Sequence, residues 1–144
     1  MKINQFTVDS SVLISMLVKG EANYADSKTF INFIIGNNGV FVIPTIVLFE
    51  LFHTLKRQKF FDLPGAHEAF LEFCNYSYFK YFDLNMYFFN LFKQVDCFDK
   101  LKTSDAIIAG AAFLSGSTLI SWDKKIIENC PNAYTPKAFL KKFA

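Results

Sequence analysis

Cysteine is scarce in this chain of 144 residues: Cys74, Cys97 and Cys130 stand far apart, without any C-x-x-C spacing. An odd, scattered set excludes a disulfide framework and a thiolate metal site, and points to a reducing compartment. Histidine is scarcer still, with only His53 and His67, so no paired Cys/His metal motif can be assembled. There is no glycine-rich phosphate loop and no nucleophile elbow, which removes the common nucleotide-binding and serine-hydrolase readings. Long hydrophobic runs are also missing. The longest, Val40 to Phe52, is interrupted by Pro44 and Glu50 and is too short to span a bilayer. The opening MKINQFTVDSS lacks the apolar core and cleavage site of a secretory leader. The expectation is a soluble, cytoplasmic protein with no membrane contact.

What is present is material for a core. Hydrophobic residues make up 52% of the chain and charged ones 19%, which argues against disorder and for one domain over residues 1–144. Nineteen phenylalanines are spread along the sequence without a repeat, enough to fill a core and leave an excess for a partner. The net charge is only +2, but unevenly placed: residues 1–99 carry 8 Lys/Arg against 10 Asp/Glu, and residues 100–144 carry 7 against 3. A basic skirt beside acidic residues suits a phosphate-rich ligand, although a solvated lysine tail reads the same way.

Short apolar or β-branched runs alternate with helical ones. Strands are expected at Gln5–Val8, Val40–Ile43, Tyr78–Leu84, Thr118–Ser121 and Ala133–Tyr134. Helices are expected at Val12–Val18, Tyr24–Ile35, from Pro44–Thr45 to about Lys59, Ala66–Cys74, Asn85–Phe98, from near Asp105 to Leu114, Lys124–Asn129 and Pro136–Ala144. Thr103 and Ser104 read as N-cap candidates for the sixth of these, and Phe60–Gly65 as a loop. With no tight hairpin between strands, the economical architecture is a three-layer α/β/α domain with a mainly parallel central sheet.

Four acids fall at or near the junctions where strands or loops hand over to helices. Asp9 follows the first strand, Glu50 lies one to two turns into the third helix, Asp105 sits in the first turn of the sixth, and Asp123 follows the fourth strand. In an open parallel sheet these junctions share the edge where ligands bind. Each acid also has a plainer role: Asp9 and Asp105 as helix caps, Asp123 as a turn residue. Glu50 could belong to a solvent-facing stripe with His53, Thr54 and Arg57, or line the crevice. Several carboxylates within about 4–6 Å cannot all stay ionised unaided, and a divalent cation resolves that conflict. An all-oxygen set suits Mg²⁺ or Mn²⁺, whose chemistry is phosphodiester hydrolysis by an activated water. A phosphatase using Asp9 as a covalent nucleophile would want a second Asp two residues on, where Ser11 stands.

The segments TVDSSVLIS, FVIPTIVLFEL, LKTSDAIIAGAAFLSG, TLISWD and TPKAFL, in that order, resemble the PIN-domain family, especially its VapC-like toxin ribonucleases. The resemblance implies that Asp9, Glu50, Asp105 and Asp123 are metal-binding acids of a Mg²⁺- or Mn²⁺-dependent endoribonuclease. It also implies a homodimer silenced by an antitoxin protein. Family members commonly carry Asn where this chain has Ser11 and Thr where it has Ser121; either hydroxyl can bond a metal water or a phosphate. Ser10, Ser11, Thr103 and Ser121 are thus expected to support the site, and Arg57, Lys102, Lys124 and Lys125 to hold the RNA backbone. A PIN-like interaction module without catalysis, or an RNA-processing nuclease that is not a toxin, would share the same fold.

Overall fold

A computed structural model describes residues 5–96 and 98–144. Five strands form one sheet: β1 (Gln5–Val8), β2 (Val40–Pro44), β3 (Phe79–Phe82), β4 (Thr118–Ile120) and β5 (Ala133–Tyr134). Their spatial order is β3-β2-β1-β4-β5 and every pairing is parallel. The helices are α1 (Ser10–Leu17), α2 (Tyr24–Gly36), α3 (Thr45–Arg57), α4 (Ala66–Cys74), α5 (Met86–Phe92), α6 (Thr103–Ser115), α7 (Lys124–Asn129) and α8 (Pro136–Phe143). This is the expected α/β/α arrangement; β2 and β4, inside the sheet, are short buried runs, whereas the edge strand β3 exposes Lys80 and Tyr81.

One face of β1 is closed by aromatic rings meeting edge to face. Phe6 lies 5.8 Å from Phe30 of α2 and 5.2 Å from Phe139 of α8, and those two rings are 5.5 Å apart. Such contacts use the positive ring edge against the negative ring face, so part of the phenylalanine excess is core. On α6, Ala109, Ala111 and Ala112 are buried and the helix lies against β1 and β2, as its small side chains permit.

Several element bounds differ from expectation, each for a local reason. The helix expected over Asn85–Phe98 ends at Phe92; its Asn85 caps the start by accepting from the Phe88 N–H, and Lys93–Val95 close the end with turn bonds. Phe98 and Leu101 then enter the core from a non-helical path, and Cys97 lies outside the described residues. Helix α6 starts before Asp105: Lys102 is its N-cap position, its carbonyl accepting from the Ala106 N–H at 2.9 Å, so Thr103 and Ser104 are helical rather than capping. Helix α3 stops at Arg57, and Phe60–Asp62, expected as loop, form a single 3₁₀ turn.

At Gly116 the end of α6 requires a left-handed residue, with φ of +67°. Replacing it by Ala should cost about 1 kcal/mol, read as a lower urea midpoint with an unchanged slope. An unchanged midpoint would mean that the turn relaxes at no cost.

Candidate active site

The chain runs from β1 outward to β2 and β3, then returns to lay β4 on the other side of β1. The order therefore reverses between β1 and β4, and the crevice beyond their carboxyl ends is where this class of sheet binds ligands. Val8 pairs with Ile120 in the last register position, and the Asp9 N–H donates to the Ile120 carbonyl at 3.2 Å. Asp9 and Ser121 are thus neighbours by strand register, although 112 residues separate them in the chain.

Asp9 is the N-cap of α1 and is buried, 5% exposed. Its Oδ1 accepts from the Ser11 N–H at 3.1 Å and from the Ser11 hydroxyl, and its Oδ2 accepts from the Ser121 hydroxyl at 2.6 Å. Capping and site membership are therefore not alternatives, since the same carboxylate does both. Burial pushes its carboxyl up from 3.8 to about 6; the Ser11 and Ser121 hydroxyls and the Val12 N–H pull the other way, and the charge on Asp105 adds to the rise.

Glu50 is half-buried on α3, with Val47, Leu51 and Leu55 buried around it. Its Oε1 is buried without a hydrogen-bond partner. Burial raises its carboxyl first, then the charges of Asp9 and Asp105, while Lys102 opposes. Glu50 thus faces the crevice, while His53 and Arg57 of the same stripe are exposed. Asp105, in the first turn of α6, is buried and also raised, by burial first and by Asp123 further on, against the lysines 102 and 125. Asp123 caps α7, its Oδ1 accepting from the Lys125 N–H at 2.8 Å, and its own N–H donates to the Ser121 hydroxyl at 2.9 Å.

Asp9, Glu50 and Asp105, from three separated segments, therefore share one electrostatic environment, and Asp105 also senses the charge of Asp123. Among the described residues no group of three acids, histidines or cysteines stands close enough to hold a metal ion as arranged. The donor set nevertheless fits a hard cation. It is all oxygen, it contains an orphaned buried carboxylate oxygen, and three of its members are held above the ordinary carboxylate range by burial and mutual repulsion.

Around the acids the outcome is mixed. Ser11 and Ser121 bond Asp9 directly, whereas neither Ser10 nor Thr103 bonds any of the four acids among the described residues. Lys102 is tied back to Asp105, Nζ to Oδ2 4.0 Å. Lys124 and Lys125 are exposed on the first turn of α7, and Arg57 is exposed at the far end of α3. Three residues that sequence reasoning passed over also belong here: Ser15, Ser27 and Trp122, joined by hydrogen bonds that link the Asp123 turn to α1 and α2. Ser27 could have been noticed, because it shares helical spacing with Phe30, Ile31 and Ile34 on the core face of α2.

A parallel three-layer sheet with acids gathered at its point of strand reversal defines a class of α/β protein with a polar crevice at the carboxyl edge. Within that class, a family model described as PIN domain matches residues 6–130, and the chain belongs to the PIN-domain family, a family of nucleases. No curated protein matches it in sequence. Among solved structures it is similar to VapC20 of Mycobacterium tuberculosis, a sarcin-ricin loop cleaving toxin, with TM-score 0.64 and 16% identity over 85% of this chain and 93% of that one. A toxin–antitoxin complex from Klebsiella pneumoniae gives 0.64 and 21%, over 90% of this chain and 96% of that one. VapBC2 from Rickettsia felis, bound to a DNA fragment from their promoter, gives 0.62 and 18%, over 91% and 96%.

Proposed function

We propose that this chain is a Mg²⁺- or Mn²⁺-dependent endoribonuclease and the toxin of a toxin–antitoxin pair. The observation that carries this reading is the electrostatic coupling of Asp9, Glu50 and Asp105 at one sheet edge, with Asp123 felt by Asp105 and the Glu50 Oε1 buried and unpartnered. When bound there, a divalent cation would neutralise the acids and the phosphate and lower the pKa of a coordinated water. Asp9, Glu50, Asp105 and Asp123 would hold it. Ser11 and Ser121 keep Asp9 oriented by donating to its two oxygens. Glu50, whose buried Oε1 has no hydrogen-bond partner, has an oxygen to spare for the cation. Lys102, Lys124, Lys125 and Arg57, all exposed cations, would hold the flanking phosphates.

The partners follow the same reading. Phe49 is 77% exposed and lines, with Leu48, Phe52 and Phe70, an apolar groove of about 440 Å³. Met86, Tyr87 and Phe89 on α5 are exposed as well. So much open aromatic surface favours a covered state, as a homodimer or under an antitoxin. The chain acts as one nuclease domain over residues 1–144, in the cytoplasm; among the described residues no helix is long and apolar enough to cross a membrane.

The test is cleavage of a mixed RNA substrate by purified protein in Mn²⁺, in EDTA, and by Asp105→Asn in Mn²⁺. The expected result is products only from the wild type with the cation, with the substitution slower by on the order of 10²–10³-fold. Equal rates in all three would favour a non-catalytic interaction module, and cleavage without growth arrest on expression would favour an RNA-processing enzyme.

A further inference from the structure

The chain has one tryptophan, Trp122, and it stands between Ser121 and Asp123. Its backbone N–H donates to the Ser11 hydroxyl at 3.1 Å, and its indole N–H donates to the Ser27 hydroxyl on α2 at 2.8 Å. Ser27 is fully buried, and its hydroxyl lies 2.6 Å from that of Ser15, itself 4% exposed. The Ser15 hydroxyl donates to the Val12 carbonyl at 2.9 Å. A hydroxyl has one hydrogen to give, so Ser15, having spent its own on Val12, must accept from Ser27, and Ser27 accepts from the indole, which can only donate. The chain Trp122 to Ser27 to Ser15 to Val12 therefore has a single direction. It ends on the residue whose N–H helps hold the Asp9 carboxylate.

We propose that Trp122 is a positioning residue for the acid cluster, with Ser27 and Ser15 as its anchor: this one-way chain sets the placement of the Asp123 turn against Asp9 from helices α2 and α1. The argument rests on the cation-dependent nuclease reading above. Residues 121–123 are tied at each step: Ser121 bridges Asp9 Oδ2 and the Asp123 N–H, and Trp122 is pinned at both its backbone and its ring. Two serine hydroxyls on core faces are costly to bury and stay in place only while each finds its partner. Removing the Ser27 hydroxyl leaves the indole N–H and the Ser15 oxygen without theirs, and the turn that carries Asp123 then keeps its backbone ties but loses the anchor at its ring.

Calorimetric titration of the full chain with Mn²⁺ measures this without relying on cleavage, alongside the melting temperature and the emission of the single tryptophan. Ser27→Ala and Trp122→Phe should each weaken Mn²⁺ uptake roughly tenfold, the lower end of losses seen when outer partners of metal ligands are removed. The double variant should be no weaker than the worse single one, because both act through the same chain. Phe30→Leu, a core change outside the chain, should lower the melting temperature while leaving Mn²⁺ affinity at the wild-type value. Affinity that follows melting temperature across all these variants overturns the proposal, as does a double loss equal to the product of the single losses. Uptake that survives in Ser27→Ala and Trp122→Phe but not in Asp9→Asn overturns the proposal and leaves the nuclease reading standing. No uptake by the wild type overturns both.

Discussion

Asp9→Asn should abolish RNA cleavage and yet make the cation-free protein more stable than the wild type at pH 7.5. The folded chain holds the Asp9 carboxyl at about 6, against 3.8 as its ordinary value. The native state therefore binds this proton more tightly than the unfolded chain does. Stability tied to it is fully present below about 3.8 and is lost as pH rises through about 6. Two units of displacement correspond to roughly 2–3 kcal/mol, so the wild type should lose about that much from this residue between acid and neutral pH. Asn cannot ionise and escapes the loss, while its carbonyl can still accept from the Ser11 N–H. Glu50 and Asp105 are displaced in the same direction, so the remaining slope should have the same sign. Urea unfolding of both proteins in EDTA at pH 4 and pH 7.5 reads the effect. A difference between them that does not grow with pH would show that Asp9 is not the strained acid described here.

Adding the cation should reverse that strain. At 100 times its dissociation constant, a ligand that binds only the folded state adds about 2.7 kcal/mol. For a chain of this size that corresponds to a melting temperature higher by roughly 5–10 °C in Mn²⁺ than in EDTA. Protons compete for the same carboxylates, so the gain should be larger at pH 7.5 than at pH 5.5. Glu50→Gln should remove most of it, since the orphaned Oε1 is the oxygen with the most to gain from a ligand. Identical melting curves in Mn²⁺ and EDTA would sink the cation-binding reading whatever the cleavage assay shows.

Legibility followed the range of the forces involved. The alternation of β-branched runs with helical ones was enough for five parallel strands, because a strand buried on both faces writes its burial into consecutive residues, as in Val40–Ile43. Bounds were less readable where a turn had to serve the core. The apolar stripe of α5 continues past Phe92 at helical spacing, but the helix ends there in a run of turn hydrogen bonds at Lys93–Val95. The acids could be proposed from their junction positions. Their partners could be named but not sorted: Ser10, Ser11, Thr103 and Ser121 are all expected to support the site, and only Ser11 and Ser121 bond Asp9, Ser11 because it lies two residues on, where an N-cap side chain folds back.

By itself the sequence determined the alternating elements, the material of the core, the oxygen-only chemistry of four acids and the placing of three of them, Asp9, Asp105 and Asp123, at helix starts. Only the tertiary structure decided that β4 lies beside β1, so that Ser121 touches Asp9, that Glu50 and not His53 or Arg57 turns inward, and that Lys102 is tied to Asp105. The physical reason is that propensity and periodicity act between near neighbours, whereas hydrogen bonds and charge coupling across a crevice depend on strand register and burial, which exist only once distant segments have packed.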